Sequence, residues 1–142
     1  MSMNIDKSNC YGRPLIGRQL LSVEKKDYTW FFAFGPGVTL ATESPWRFIK
    51  QGRIVVSSED HNQQFGLPAP VDAARDLLSC ARGLIVEGAS VAADAGDLTV
   101  QFPGGLVLQL LQLSSGYESW RLTANGSESI CVGGGSITHF PK

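Results

Sequence analysis

Residues 98–110 read LTVQFPGGLVLQL, and this stretch decides the fold class. On both sides of its Pro-Gly-Gly centre, apolar residues recur at every second position, with Thr99, Gln101 and Gln109 between them. A period of two is typical of a β-strand that buries one face. Proline and glycine end strands and favour tight turns. The stretch therefore predicts two antiparallel strands joined by a short turn.

A similar motif occurs earlier in the chain, where residues 30–40 read WFFAFGPGVTL. A Trp-Arg pair follows each motif. The aromatic and glycine positions of the two motifs are 68 residues apart, whereas the Trp-Arg pairs are 74 apart, so about six extra residues lie near Leu113 to Glu118. We interpret this as an internal repeat with copies at 14–62 and 84–140. The recurring positions, which we expect to be structural anchors apart from the arginines, are Phe34, Gly37, Trp46, Arg47 and Phe102, Gly105, Trp120, Arg121.

Each copy is predicted to be an antiparallel meander of about five strands. A helix over residues 71–82 joins the copies in this prediction, because Val71, Ala74, Leu77, Leu78 and Ala81 recur at helical spacing. Neither meander alone could bury its apolar face. We therefore expect a mainly β single domain over residues 1–142, built as a ten-stranded barrel or as two packed sheets. The predicted strands are Leu15 to Val23, Tyr28 to Phe34, Val38 to Thr42, Trp46 to Ile49 and Arg53 to Ser57, then Leu84 to Val91, Asp97 to Phe102, Leu106 to Leu110, Trp120 to Thr123 and Ser129 to Val132.

The composition argues against several classes of function. Twelve Lys and Arg residues stand against 13 Asp and Glu residues, and the net charge of −1 does not favour nucleic-acid binding. No apolar stretch reaches the roughly 18 residues that a transmembrane helix needs. The segment Met1 to Arg13 is polar and does not resemble a secretory signal, so we expect a cytoplasmic protein. Three widely spaced cysteines, Cys10, Cys80 and Cys131, do not indicate a disulfide framework or a zinc site.

His61 is the first candidate for chemistry, because Ser57-Ser58-Glu59-Asp60-His61 groups hydroxyl, carboxylate and imidazole side chains after a predicted strand. Two interpretations stay open. The run is either a solvated turn or a loop in which Asp60 and His61 contact a ligand. His139 occupies the matching place in the second copy and has no neighbouring carboxylate, so we expect no metal site and no cofactor.

The two Trp-Arg pairs allow two interpretations as well. Successive side chains of a strand face opposite ways, so a buried tryptophan leaves its arginine pointing outward. In the first interpretation Trp46 and Trp120 are core anchors, and the arginines only make the outer face soluble. In the second, Arg47 and Arg121 line one surface that holds a carboxylate, a phosphate or an acidic protein loop.

The glycine run Gly133-Gly134-Gly135-Ser136 has no lysine after it and precedes no predicted helix. A phosphate-binding loop is therefore not indicated, and we expect a hairpin or bulge.

The repeated Phe-x-x-Gly and Trp-Arg motifs resemble a family of small bacterial proteins classed as a domain of unknown function. The resemblance covers most of residues 14–124, and some relatives are similar to the immunity proteins encoded beside bacterial toxins. Its motifs are structural ones, so it implies a bacterial, cytoplasmic, β-rich protein and a protein partner, and it supplies no catalytic residue.

We therefore expect a non-enzymatic protein-binding or accessory module, and an immunity-like protein is one module of this kind. The alternative is a small-molecule or enzymatic site where Asp60, His61, Arg47 and Arg121 converge. A third hypothesis is a homodimer formed through edge strands.

Overall fold

The computed structural model describes residues 8–142, in which the chain forms eleven strands in two antiparallel sheets. Part of the polar segment Met1 to Arg13 lies outside the described residues. The strands are β1 (Ser22–Lys26), β2 (Thr29–Ala33), β3 (Val38–Thr42), β4 (Trp46–Lys50), β5 (Arg53–Ser57), β6 (Gly88–Val91), β7 (Leu98–Phe102), β8 (Leu106–Leu110), β9 (Trp120–Ala124), β10 (Ser127–Cys131) and β11 (Ile137–Phe140). The helices are α1 (Ser8–Tyr11) and α2 (Ala73–Ala81), with short 3-10 turns at Arg13–Leu15, Ser58–Asp60 and Gly133–Gly135.

The six-stranded sheet has the order β1-β2-β3-β9-β10-β11, and the five-stranded sheet has the order β5-β4-β8-β7-β6. The chain therefore crosses to the five-stranded sheet after β3 and returns after β8. Each half of the chain gives its first three strands to one sheet and its remaining strands, two in the first half and three in the second, to the other. The prediction of a mainly β fold with two packed sheets and a connecting helix is confirmed, and the sheets do not close into a barrel.

Each sheet contains one pair of strands that joins the two halves of the chain, and the two pairs have the same register. Leu40 of β3 lies opposite Leu122 of β9, and Leu108 of β8 lies opposite Phe48 of β4. These two pairs correspond through the spacings of 68 and 74 residues seen in the sequence. Common ancestry of the two halves stays a prediction, because strand pairing does not record how a sequence arose.

The core lies between the sheets and takes alternate residues from each strand. Trp46, Trp120, Phe34 and Phe102 are all buried, at 1 to 2% relative exposure. The Trp46 ring packs edge-on against Trp30 of the opposite sheet at a centroid distance of 5.1 Å. Large aromatic side chains remove much apolar surface from water, so this contact between sheets contributes strongly to stability.

Two glycines adopt the conformation that the turns after β2 and β7 require. Gly37 has a φ of 75° and Gly105 a φ of 76°, a backbone region that is costly for residues with a Cβ. Their places at corresponding turns agree with the structural role that the sequence predicts.

The helix α2 packs along one open side of the sandwich. It begins two residues later than expected, because Asp72 is its N-cap and accepts a hydrogen bond from the Arg75 backbone N–H at 3.0 Å. Its buried residues Ala73, Leu77 and Ala81 lie on the face that meets the core. Since α2 contacts both β1 and β5, it covers the gap between one edge strand of each sheet. No helix within residues 8–142 combines the length and the hydrophobicity that a membrane crossing needs.

Several strand boundaries differ from the prediction, among them that of β6, which begins at Gly88 instead of Leu84. The opening strand begins at Ser22 instead of Leu15, because Pro14 lies in the 3-10 turn and Gly17 has a φ of 84°. At the other end of the chain, β11 is an additional strand. Gly134 and Gly135, with φ of 85° and 102°, reverse the chain and allow Ile137 to pair with Cys131.

Candidate functional site

The arginines of the two Trp-Arg pairs point away from each other. Arg47 lies on β4 in the five-stranded sheet and Arg121 on β9 in the six-stranded sheet, and each alternates with buried neighbours. Because the buried faces of the sheets meet in the core, the two guanidinium groups lie on opposite outer faces of the sandwich. They therefore do not line one surface, and the anion-holding interpretation of the pair is corrected.

His61 is held by the fold and is not a freely solvated turn residue. Its Nδ1 accepts a hydrogen bond from the Ala73 backbone N–H at 3.1 Å. Its ring meets Trp30 edge-on at a centroid distance of 5.0 Å. The imidazole thus helps to cap α2, and its contacts lie with Ala73 and Trp30. Asp60 ends the preceding 3-10 turn, where its carbonyl accepts a hydrogen bond from Gln63.

On the outer face of the five-stranded sheet, the arginine is bound by its cross-strand neighbours. Arg47 lies opposite Gln109, which lies opposite Thr99 on the next strand. The Arg47 Nε donates to Gln109 Oε1 at 2.8 Å, and the Gln109 amide donates to Thr99 Oγ1 at 3.5 Å. Gln109 thus links Arg47 to Thr99, and within residues 8–142 the Arg47 guanidinium uses only its Nε–H in a hydrogen bond.

On the outer face of the six-stranded sheet, the corresponding row is Phe31, Ala41 and Arg121. The Ala41 methyl group offers no hydrogen-bond acceptor to the arginine opposite it. Arg121 instead forms ion pairs with Glu118 at 3.1 Å and with Glu128 at 3.5 Å. These side chains are 37 to 53% exposed, so each pair contributes at most about 1 kcal/mol. The short side chain of Ala41 leaves space above the sheet.

That space is a groove of about 420 Å³, which we call the outer-face groove. Its floor is formed by outward-facing side chains of β2 and β3, and its rim carries charged side chains. The volume falls within the range of about 300 to 1,000 Å³ that is common for ligand sites. The residues that line it are Thr29, Phe31, Thr39, Ala41, Thr42, Glu43, Glu118, Ser119, Arg121, Thr123 and Glu128.

One wall of the outer-face groove is the segment before β9, where the second half of the chain carries its extra residues. Gln112 fixes this segment: its amide donates to the carbonyls of Tyr117 at 3.0 Å and Val132 at 2.8 Å, and its Oε1 accepts from the Ser114 N–H at 2.8 Å. Gln112 is 8% exposed, and both its amide nitrogen and its amide oxygen form hydrogen bonds. The wall is therefore positioned by the fold.

The tryptophans beneath the two faces differ in their polar contacts. Trp120 Nε1 donates to the Gly96 carbonyl at 2.8 Å. Trp46 Nε1 is buried and has no hydrogen-bond partner within residues 8–142. Beside Trp120, burial raises the pKa of the Cys131 thiol to about 11, while a hydrogen bond from Gln112 opposes the rise.

A second pocket of about 170 Å³ lies between α1 and the strands β9 to β11. In it Ser129 Oγ and His139 Nδ1 form a hydrogen bond of 2.8 Å, and Cys10 and Tyr11 form part of the wall. Among residues 8–142, no group of three or more His, Cys, Asp or Glu side chains is placed to hold a metal ion. The sequence did not indicate this pocket, because the contact depends on β11.

The residues that build the outer-face groove were also missed at the level of sequence. Ala41, Glu43, Glu118 and Glu128 belong to no recognised motif, and Phe31 lies in the first repeated motif without having been singled out. One signal was present: at the repeat spacing of 68 residues, Ala41 corresponds to Gln109. A short side chain in one copy and a long one in the other indicates that the two outer faces differ.

Searches against protein-family models, curated proteins and solved structures give no match for this chain. The resemblance to a small bacterial family therefore stays a hypothesis, and the groove geometry is the basis for the functional proposal.

Proposed function

We propose that this chain is a non-enzymatic protein-binding module that docks its partner in the outer-face groove. The observation that carries the proposal is the difference between the two outer faces. On one face Gln109 accepts a hydrogen bond from Arg47 Nε, while on the other Ala41 offers no such acceptor and a groove lies beside Arg121. The groove places one aromatic side chain, Phe31, and one arginine, Arg121, within a polar lining, and these two residue types are enriched in protein interfaces.

The rival hypothesis, a small-molecule or enzymatic site near His61 and the Trp-Arg strands, has less support. Its four residues do not converge, because Arg47 and Arg121 lie on opposite faces and His61 contacts Ala73 and Trp30. A site of that kind needs polar groups that meet in one cavity. The outer-face groove contains only Arg121 of the four.

Capture experiments with matched variants test the proposal. Ala41→Gln places in the outer-face groove the residue found at the corresponding position of the other face, without a change of charge. Gln109→Ala is the control, because it alters only the opposite face. We expect one partner from a lysate of the source organism to be retained by the wild type and by Gln109→Ala, and lost by Ala41→Gln.

Equal retention by Ala41→Gln and the wild type would contradict the docking site, provided that both variants keep the wild-type melting temperature. The family resemblance suggests one class of partner to look for among the captured proteins, a toxin encoded beside the gene. Calorimetry with the purified partner then separates direct binding from co-purification.

Self-association through an edge strand is the second way in which the chain could bind protein. The edge strand β5 exposes Ile54 at 56% and Val55 at 47%, and such strands pair readily with a second copy. Light scattering distinguishes the cases: a mass near 15.3 kDa at high concentration excludes the homodimer, and twice that mass supports it.

A further inference from the structure

The charges that line the outer-face groove are mostly negative. Three carboxylates, those of Glu43, Glu118 and Glu128, stand against the guanidinium of Arg121, which gives a net charge of −2. Arg121 already contacts two of these carboxylates. Glu43 is exposed and forms no ion pair within residues 8–142. A cation that enters the groove is therefore attracted, whereas an anion meets uncompensated negative charge.

The floor of the outer-face groove favours a planar, partly apolar cation. Phe31 is half-buried and lies beside Ala41, so the groove offers an aromatic ring and a methyl group between its charged walls. A guanidinium group stacks on aromatic rings and binds carboxylates through two parallel hydrogen bonds. The methylene stem of an arginine covers apolar surface while its head stays with the charges.

We infer that the outer-face groove receives a basic segment of the partner protein, with an arginine side chain over Phe31 and its guanidinium between Glu43 and Glu118. The inference rests on the proposed function, since it names the chemistry of the partner that docks at the same site. It reverses the charge of the ligand in the second interpretation of the Trp-Arg pairs, in which Arg47 and Arg121 hold a carboxylate, a phosphate or an acidic protein loop. Arg121 does not attract anions here, because its charge is matched by Glu118 and Glu128.

Peptide titrations followed by amide chemical shifts test the sign of this charge preference. The probe is the blocked tripeptide acetyl-Gly-Arg-Gly-amide, and the matched control is acetyl-Gly-Glu-Gly-amide. We expect the arginine peptide to cause saturable shifts at Phe31, Ala41 and Arg121, and these shifts to diminish as salt is added. The glutamate peptide is expected to leave the same amides unchanged.

Two variants make the test specific to the groove. The double variant Glu43→Gln/Glu118→Gln brings the lining from a net charge of −2 to zero. We expect it to raise the Kd of the arginine peptide by about fivefold. Ala41→Gln is expected to abolish the shifts by filling the space, while Gln109→Ala keeps them. Equal shifts with both peptides, or no shift with the arginine peptide, would overturn the inference.

The failure of this inference and the failure of the proposed function give different results. Suppose that Ala41→Gln loses the captured partner but the Glu43→Gln/Glu118→Gln variant binds it as tightly as the wild type. The groove is then the docking site, and the inference that the partner's docking segment is basic is wrong. If Ala41→Gln still captures the partner, the docking site itself is wrong.

Discussion

The two outer faces of the sandwich lie over nearly the same buried framework, yet they offer different surfaces. Trp46 and Trp120 are equally buried, and Arg47 and Arg121 follow them on strands that pair in the same register. What differs is the cross-strand neighbour of each arginine. Gln109 accepts a hydrogen bond from Arg47, whereas Ala41 cannot bind Arg121, which pairs with Glu118 and Glu128 beside a groove. The cross-strand neighbour, together with the extra segment before β9 that forms one wall, therefore distinguishes an arginine bound within its own row from one that lines a groove.

The largest expected effect is the loss of either tryptophan. Trp46→Ala and Trp120→Ala should each lower the free energy of unfolding by about 3 to 5 kcal/mol, because both side chains are 1% exposed in the core. Chemical denaturation measures the change. A variant with wild-type stability would show that its tryptophan does not anchor the shared framework, and the comparison of the two faces would lose its basis.

The next largest effect on stability concerns His61, whose ring contacts Trp30. His61→Ala should lower the free energy of unfolding by about 1 to 2 kcal/mol, since it removes the acceptor for the Ala73 N–H and the contact with Trp30. Glu59→Ala, an exposed change in the adjacent turn, is the control and should cost less than about 0.5 kcal/mol. Equal effects in thermal melts of the two variants would restore the solvated-turn interpretation of His61.

A milder change sharpens the comparison between the tryptophans. Phenylalanine keeps much of the ring but removes the indole N–H. Trp120→Phe should cost about 1 kcal/mol more than Trp46→Phe, because it removes the hydrogen bond from the indole N–H to the Gly96 carbonyl, while Trp46 has no such bond to lose. Denaturant titrations of both variants give the difference, and equal costs would show that the Gly96 hydrogen bond contributes no net stability.

The remaining effect on stability is a pH dependence due to Cys131, which appears only at alkaline pH. Burial raises the pKa of this thiol from 9.0 to about 11, so the folded state holds its proton more tightly than the unfolded state does. The stability that this thiol contributes is present below pH 9 and is lost as the pH rises through about 11. Cys131→Ala should therefore lose less stability than the wild type over this pH range.

Alkylation rates provide an independent check on Cys131. At pH 8, Cys10 and Cys80 are exposed and should react with iodoacetamide, while buried Cys131 should react only after denaturant is added. Mass spectrometry of the labelled peptides identifies each site. Labelling of Cys131 at the rate of Cys80 in the folded protein would contradict its burial beside Trp120.

The sequence was sufficient for the parts of the fold that depend on local patterns. The alternation at residues 98–110 predicted strands with one buried face, and β7 and β8 lie there. Val23 and Val91 are also 68 residues apart, but their strands pair differently: Val23 pairs with Phe32, whereas Val91 pairs with Leu98, two residues away from the position that corresponds to Phe32. The reason is the turn, which is short between β1 and β2 and longer between β6 and β7.

The candidate site depended on contacts that local patterns do not contain. Alternation along β4 and β9 predicts that Arg47 and Arg121 point outward, but not that their strands belong to different sheets. The groove depends on the pairing of Ala41 with Arg121, which becomes visible only when the register between β3 and β9 is known. His61 was misjudged for the same reason, because its partners Trp30 and Ala73 are distant in sequence.

Calorimetric titration of the purified partner into Ala41→Gln tests the central claim most directly. The account predicts that this variant raises the Kd at least about tenfold, equivalent to 1.4 kcal/mol, while Gln109→Ala binds as the wild type does. Unchanged affinity in Ala41→Gln, or an equal loss of affinity in Gln109→Ala, would contradict the claim that the outer face of the six-stranded sheet is the binding surface.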